Sequence, residues 1–222
     1  MAAFELAALD MAGTTVDEEG LVYRMLDRPV SDAAAAPVPA RVLAQWKGTS
    51  KREAIAGLLG ALDADASPKA VDRVFAGFEE RLIAAYQDTP PVPFPGVPEM
   101  FETLRRSGVK VALQTGYSAE VATSLLKGLH WSDAVDVVVT SDLVAASRPA
   151  PYLIFRSMEL TGVTAVARVL TAGDTPNDLL AGVNAGAGFV VGVGTGSFTL
   201  DQLASVPNTH LLESVAEIVT LL

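Results

Sequence analysis

The sequence predicts an α/β protein with a parallel-sheet core and a helical segment inserted after the first strand. Short valine-rich apolar runs alternate with amphipathic stretches over most of the 222 residues, which is typical of a parallel sheet covered on both faces. Residues 20–90 break this alternation and contain only helix-forming stretches. The proline-rich segment at 89–98 closes that region, since proline disfavours regular structure.

The predicted strands are continuous apolar runs that end in small or turn residues. They lie at residues 4–9, 109–114, 135–140, 168–173 and 188–193. Helices are predicted for the amphipathic stretches between them, at residues 97–107, 118–129, 151–161 and 176–186. We therefore expect residues 1–19 and 91–222 to form a core domain, and residues 20–90 to form a helical cap domain.

Two patterns within residues 20–90 indicate where helices lie. Ser50 followed by Glu53 is a capping-box pattern, so a helix is expected to begin near Lys51. The longest helix-forming stretch carries an apolar stripe, which would form either core or a dimer face. The stripe consists of Phe75, Phe78, Leu82 and Tyr86.

Composition and charge limit the classes of partner. The formal charge is −10 with no basic run, so neither nucleic acid nor an anionic membrane surface is an expected partner. The absence of cysteine excludes disulfides, thiolate catalysis and cysteine-bound zinc. No apolar run approaches the ~18 residues of a membrane helix, and the N-terminal segment does not resemble a signal peptide. A cytoplasmic location is expected, as a monomer or a homodimer.

Polar or charged residues follow four of the predicted strands. They are Asp10 after the first, Thr115 and Gly116 after the second, Arg148 after the third, and Asp174 with Asp178 after the fourth. Singly, each has an ordinary explanation as a turn former, helix cap or loop charge. Because ligands bind beyond the carboxyl ends of parallel strands, their recurrence favours a phosphoryl site. Such a site needs a carboxylate nucleophile, donors and a cation for phosphoryl oxygens, and oxygen ligands for Mg²⁺.

The order of these motifs resembles that of the haloacid dehalogenase superfamily of phosphotransferases. DMAGTTVD is similar to its first motif, LQTGYS to its second, Arg148 to its third and GDTPND to its fourth. The resemblance covers essentially the whole chain and implies a Rossmann-like core with a cap that sets specificity. Within the superfamily, the D-x-A-G-T-T form, TGY, and RP before a helix look most like phosphonatase, the phosphonoacetaldehyde hydrolase subfamily.

The resemblance implies a role for each matching position. Asp10 would attack phosphorus to give an aspartyl-phosphate, and Arg148 would supply positive charge. The implied Mg²⁺ ligands are the Asp10 side chain, the Ala12 backbone carbonyl and Asp174, with Asp178 ordering the groups around them. The implied phosphoryl-binding groups are Thr115, Gly116 and the loop amides near Gly13.

Ala12 and Lys51 point to the phosphonatase subfamily. Ordinary phosphatases of the superfamily carry an aspartate where Ala12 stands, as general acid for an alkoxide leaving group. Phosphonatases break a P–C bond instead and use a cap lysine that forms a Schiff base with the substrate aldehyde. Lys51, three residues beyond Gly48, falls where that lysine would be, with Lys47 close by. A place in the first turn of a helix would lower its pKa.

The sequence of the predicted cap also allows other interpretations. The segment 47–53, KGTSKRE, also resembles the cap loop of phosphosugar mutases and phosphatases, where basic residues bind a distal phosphate. The cap histidine that phosphonatase has three positions after its lysine is Ala54 here. His130 and His210 lie outside the predicted cap, and we expect structural roles for both.

The sequence therefore leaves three functions open. The first is a Mg²⁺-dependent hydrolase that cleaves the P–C bond of a small phosphonate. The second is a phosphatase or phosphotransferase that acts on small phosphate esters with good leaving groups. The third is a catalytically weak binding protein, against which the retained nucleophile position argues. Metal-free dehalogenation is disfavoured, because it has no need of the carboxylate pair in GDTPND.

Overall fold

The computed structural model describes residues 2–222 and has the predicted α/β architecture. The strands are β1 (Leu6–Asp10), β2 (Val16–Asp17), β3 (Val92–Pro93), β4 (Lys110–Gln114), β5 (Val137–Val139), β6 (Val169–Gly173), β7 (Phe189–Val193) and β8 (His210–Leu212). The α-helices are α1 (Leu21–Ala34), α2 (Ala40–Gln45), α3 (Lys51–Ala61), α4 (Pro68–Asp88), α5 (Val97–Arg106), α6 (Ala119–Gly128), α7 (Tyr152–Thr161), α8 (Pro176–Ala185) and α9 (Leu200–Leu203). Six strands form one sheet in the order β5-β4-β1-β6-β7-β8, and all neighbours run parallel.

The central strand β1 is buried along its whole length, which explains why its sequence is continuously apolar. Its side chains alternate between the two faces of the sheet. Leu6 and Ala8 belong to a cluster that includes Ile154 of α7. Ala7 and Leu9 belong to the larger cluster, which α5 and α6 help to form. Helices thus cover both faces, as the valine-rich runs predicted.

The five predicted strands are present, and the structure adds a sixth, β8, at the edge of the sheet. It pairs with β7 over three residues and is only partly buried. A strand this short at a half-exposed edge lacks the apolar run on which the prediction depended. His210 opens β8, and its ring stacks on Phe189 with centroids 6.0 Å apart, in keeping with the structural role expected for it.

The region predicted to be helical contains α1 to α4, which we call the helical insert (residues 21–88). It lies between the short strands β2 and β3, which pair antiparallel and bring its two connections side by side. In α4, Phe78, Leu82 and Tyr86 are buried and Phe75 is partly buried against the same core. The stripe is therefore core rather than a dimer face. Within residues 2–222, no helix is long and apolar enough to cross a membrane.

Truncation of the stripe tests this packing. We expect Phe78→Ala to lower the free energy of unfolding by about 3–5 kcal/mol, because the ring is fully buried and its removal leaves a cavity. The matched control is Phe155→Ala on α7, whose side chain is 42% exposed and should cost about 1 kcal/mol or less. Urea denaturation measures both, and similar losses for the two variants would contradict the assignment of Phe78 to the core.

Candidate active site

Three buried aspartates meet at the carboxyl end of the sheet. Asp10 ends β1, Asp174 follows β6, and Asp178 lies in the first turn of α8. The register pairs Leu9 of β1 with Ala172 of β6, so both strands end at the same level. One carboxylate oxygen from each aspartate lies within 4.8 Å of the others. The fold thus brings together residues from opposite halves of the chain, as the strand-end prediction requires.

Arg148 reaches into this cluster from the loop after β5. Its Nη1 donates to Asp10 Oδ1 at 2.6 Å and also forms an ion pair with Asp178. The side chain is 3% exposed, so its charge is partnered in a region from which water is excluded. Its Nε and Nη2 have no hydrogen-bond partner among residues 2–222. They therefore lack the partners that buried donors ordinarily have.

Burial and mutual repulsion disfavour the charged forms of the carboxylates. Burial raises the pKa of Asp10 to about 6, with Arg148 lowering it and Asp178 raising it. Burial, followed by the charges of Asp178 and Asp10, raises the pKa of Asp174 to about 8. Burial alone would lower the pKa of Arg148. The charges of Asp178 and Asp10 outweigh this effect and raise that pKa above the ordinary value. One guanidinium faces three carboxylates, so the site has excess negative charge when all three are ionised. A further cation would offset that charge, and oxygen donors suit Mg²⁺.

Asp174 is held by residues that the strand-end prediction did not name. Ser197 donates its backbone N–H to Asp174 Oδ2 at 2.7 Å, and Thr14 donates its hydroxyl to Oδ1 at 3.3 Å. Thr195 donates its hydroxyl to the Gly13 carbonyl at 2.7 Å. Thr195 and Ser197 follow β7, so the rule that found the other residues points to this loop too. The strand-end prediction omits this loop because it carries no charged residue.

Gly13 is needed for close packing against Asp174. Its φ is +85°, which side chains rarely adopt, and a Cβ there would overlap the Asp174 carboxylate. Its N–H already donates to the Val16 carbonyl at 2.9 Å. That proton is not free for a ligand in this conformation, and the predicted contact with phosphoryl oxygens stays a prediction.

Thr115 and Gly116 lie directly after β4, facing the insert. The Thr115 hydroxyl accepts a hydrogen bond from the N–H of Tyr117 at 3.1 Å, which leaves its own proton available for donation. Gly116 packs against the backbone of Thr49, and a Cβ there would overlap the Thr49 carbonyl. Glycine is therefore required at position 116 for the helical insert to reach the core.

Helix α3 begins at Lys51, as the Ser50 pattern predicted, and this end of the helix lies over the site. The Ser50 hydroxyl accepts from the Glu53 N–H at 3.2 Å. The Glu53 carboxylate does not return to the cap; it accepts from the Ser147 N–H at 3.2 Å, beside Arg148. The Lys51 N–H donates to the Gly116 carbonyl at 3.1 Å. The start of α3 is thus bonded to two loops of the core.

The Lys51 side chain is buried, with its Nζ 5.0 Å from the Tyr23 ring centroid and 5.6 Å from that of Tyr117. Nζ donates to the Thr49 carbonyl at 3.4 Å. Burial lowers the pKa of Lys51, although the charges of Glu18 and other carboxylates oppose that effect. A lysine with a lowered pKa is a better nucleophile at neutral pH.

Most of the predicted residues line one small cavity, of ≈ 20 Å³. Its lining includes Asp10, Ala12, Lys51, Thr115, Gly116 and Asp174. Gly13, Arg148 and Asp178 are not among its lining residues, and neither is Lys47. It lines an adjoining cavity of ≈ 300 Å³ together with Ala12 and Gly13, and its Nζ lies 4.9 Å from the Tyr23 ring centroid. Ala12, two residues after Asp10, lines both cavities and contributes no carboxylate to either.

Comparison with known proteins identifies the family. A model of haloacid dehalogenase-like hydrolases matches residues 4–186, a range that includes the predicted strand-end residues from Asp10 to Asp178. The chain belongs to this family. The resemblance that the four motifs predicted is confirmed, as is the α/β fold class.

The relatives of this haloacid dehalogenase-like hydrolase include phosphonoacetaldehyde hydrolases. That of Parabacteroides distasonis is 37% identical over 134 residues, covering 60% of this chain and 50% of that protein. That of Bacteroides fragilis is 33% identical over 149 residues, covering 64% and 55%. The chain thus spans about half the length of these curated relatives. A phosphonoacetaldehyde hydrolase-like protein from Oleispira antarctica shares the fold, with a TM-score of 0.81 at 21% identity over 99% of this chain and 92% of that one.

The raised carboxylate pKa values predict how Mg²⁺ affects stability. A carboxyl group whose pKa is raised from 3.8 to about 8 on folding, as for Asp174, favours the folded state below pH 3.8, and this contribution is lost as pH rises through 8. Mg²⁺ binds the ionised carboxylates, so it should raise the melting temperature more at pH 8 than at pH 6.

Differential scanning calorimetry with Mg²⁺ or with EDTA measures this difference. Asp174→Asn should abolish the effect of Mg²⁺, whereas Asp201→Asn, at an exposed position on α9, should retain it. An equal rise at both pH values, or a rise that survives in Asp174→Asn, would show that the carboxylate cluster is not the metal site.

Proposed function

We propose that this chain is a phosphonatase-like hydrolase that cleaves the P–C bond of a small phosphonate aldehyde. The observation that carries the proposal is that Asp10 and the buried Lys51 line one cavity in which Ala12 provides no acid. A carboxylate nucleophile suits phosphorus and an amine suits an aldehyde. The named relatives support the same substrate class.

In the proposed reaction Lys51, as the neutral amine, attacks the aldehyde carbon and water is lost, giving an imine. Asp10 then attacks phosphorus to form an aspartyl-phosphate. The P–C bond breaks, and its electron pair moves into the protonated imine to give an enamine. The enamine carbon takes a proton, and hydrolysis frees the aldehyde product and Lys51. Water then hydrolyses the aspartyl-phosphate to release phosphate and restore Asp10.

The other residues orient and neutralise the phosphoryl group. The Nε and Nη2 of Arg148 and the Thr115 hydroxyl can donate to its oxygens. Asp10, Asp174 and the Ala12 carbonyl would hold Mg²⁺, with Asp178 fixing Arg148. Bound there, the ion would offset phosphoryl charge that the nucleophile would otherwise repel. The helical insert acts as the cap domain in this proposal, because it carries Lys51 and lies over the carboxylates.

Borohydride trapping tests the imine. With phosphonoacetaldehyde and Mg²⁺, we expect a reduced adduct on Lys51, found by peptide mapping, and released phosphate when borohydride is omitted. Lys51→Ala should lose adduct and phosphate release together, because the amine is the electron sink. Lys127→Ala, at an exposed lysine on α6, should keep both. A Lys51→Ala enzyme that keeps kcat and changes only KM would instead assign Lys51 to phosphate binding.

Hydrolysis of phosphate esters gives an independent test of the role of Ala12. Because Ala12 cannot donate a proton, the wild-type protein should hydrolyse 4-nitrophenyl phosphate far better than an alkyl phosphate. Ala12→Asp adds an acid and should raise alkyl phosphate hydrolysis by about 10²-fold, without improving P–C cleavage. Asp10→Asn is the blank for both reactions. Efficient wild-type turnover of alkyl phosphates would favour the phosphatase alternative.

A further inference from the structure

A buried carboxylate, Glu18, lies beside the proposed active site and has no part in the reaction above. It follows β2, on the connection that leads into the helical insert, and is 8% exposed. Its Oε2 accepts from the hydroxyl of Tyr117 at 2.8 Å and from that of Tyr86. The two hydroxyl oxygens are 3.0 Å apart. Glu18 is thus held by one residue of the core and one of α4.

The two tyrosines act as fixed donors to this carboxylate. Burial, and then the charge of Glu18, raises the pKa of Tyr86 and of Tyr117 well above the ordinary value, so both remain protonated. Burial also raises the pKa of Glu18, while the two tyrosine hydrogen bonds and Lys51 lower it. Burial thus makes the charged form of Glu18 less favourable than that of an exposed glutamate.

Glu18 is electrostatically linked to Lys51. The Tyr117 ring lies beneath Lys51 Nζ, 5.6 Å from it, while the Tyr117 hydroxyl is bonded to Glu18. After burial, Glu18 is the largest influence on the pKa of Lys51. Within residues 2–222, no carboxylate forms an ion pair with Lys51 at 4.0 Å or less. The other charges that act on Lys51 are Asp10, Asp178 and Arg148.

Among the described acidic groups near Lys51, Glu18 is the one to which the reaction above gives no role. Asp10 and Asp178 are bonded to Arg148, and Asp10 and Asp174 carry the nucleophilic and metal-holding roles proposed above. The Thr49 carbonyl, to which Nζ donates, cannot take up a proton. The helix position three residues after Lys51 is Ala54, which has no polar group.

We propose that Glu18 is the proton partner of Lys51, held in place by Tyr86 and Tyr117. The Lys51 ammonium gives one proton to a bridging water molecule, which passes one to the Glu18 carboxylate, so the pair changes from two opposite charges to two neutral groups. The neutral amine then attacks the aldehyde, and protonated Glu18 returns its proton when the amine is restored. Glu18 acts through Lys51 and is a positioning residue. The inference rests on the proposed function for its catalytic part.

The first test needs no substrate. Side-chain NMR on the full chain with Mg²⁺, assigned with Lys51→Arg, gives the pKa of Lys51 directly. Glu18→Gln keeps the shape but removes the charge, and we expect it to lower the Lys51 pKa by about 1 unit, the low end for a neighbouring opposite charge. Glu18→Asp keeps the charge and should restore most of the shift. Tyr86→Phe, which leaves Glu18 less readily ionised, should lower the Lys51 pKa by a smaller amount.

The matched control is Glu79→Gln, a carboxylate on α4 that accepts from the Ser118 hydroxyl outside the site. It should leave the Lys51 pKa unchanged. An unchanged Lys51 pKa in Glu18→Gln, with the fold intact by circular dichroism, would overturn the pairing.

The second test measures catalysis. With phosphonoacetaldehyde, Glu18→Gln should lower kcat by about 10²-fold, as expected for loss of a proton partner, with KM changed little and Glu18→Asp partly active. A full kcat in Glu18→Gln would overturn the proton-transfer role. If the wild-type protein gives no reduced adduct on Lys51, the proposed function fails, while the NMR result still decides whether Glu18 and Lys51 are paired.

Discussion

Three carboxylates buried side by side are the constraint on which the rest of the site depends. Asp10, Asp174 and Asp178 repel one another in a region of low dielectric constant. Arg148 shares one nitrogen between two of them, and the Ser197 N–H stabilises the third. Two net negative charges remain when all three are ionised, the number that one divalent cation neutralises. A site built this way favours a metal ion together with an anionic substrate group.

The same carboxylates can be covered only because the backbone of the insert comes unusually close to the core. Side chains at Gly48 and Gly116 would overlap Thr175 and Thr49, and Asn177 donates to the Lys47 carbonyl at 2.7 Å. This contact buries Lys51 at the start of α3. A lysine placed there loses water and meets the positive end of the helix dipole. The docking that covers the carboxylates therefore also buries Lys51, and this burial lowers the pKa of the lysine.

The sequence predicted the fold and the strand-end residues because parallel strands end at a common edge. Asp10, Arg148 and Asp174 are far apart in the chain, yet the periodicity of the strands places them together. The burial of Lys51 could not be predicted in this way, since it depends on how the insert docks. The Tyr86–Glu18 contact joins residues 68 positions apart on segments whose packing leaves no local pattern. Capping patterns locate the start of a helix but not what faces it.

Ala12, the small cavity and Lys51 together suit the P–C cleavage proposed above. A carbon leaving group gains nothing from an acid beside the nucleophile, because its electrons must enter an acceptor such as a protonated imine. The cavity that holds Asp10 and Lys51 is ≈ 20 Å³, about the space of one water molecule. A substrate larger than one water molecule does not fit this cavity, so the proposed reaction requires the helical insert to move. A small phosphonate aldehyde would allow the insert to close again, and closure is what desolvates the lysine. Under the proposed function, a bulky alcohol leaving group would keep the insert from closing over Lys51.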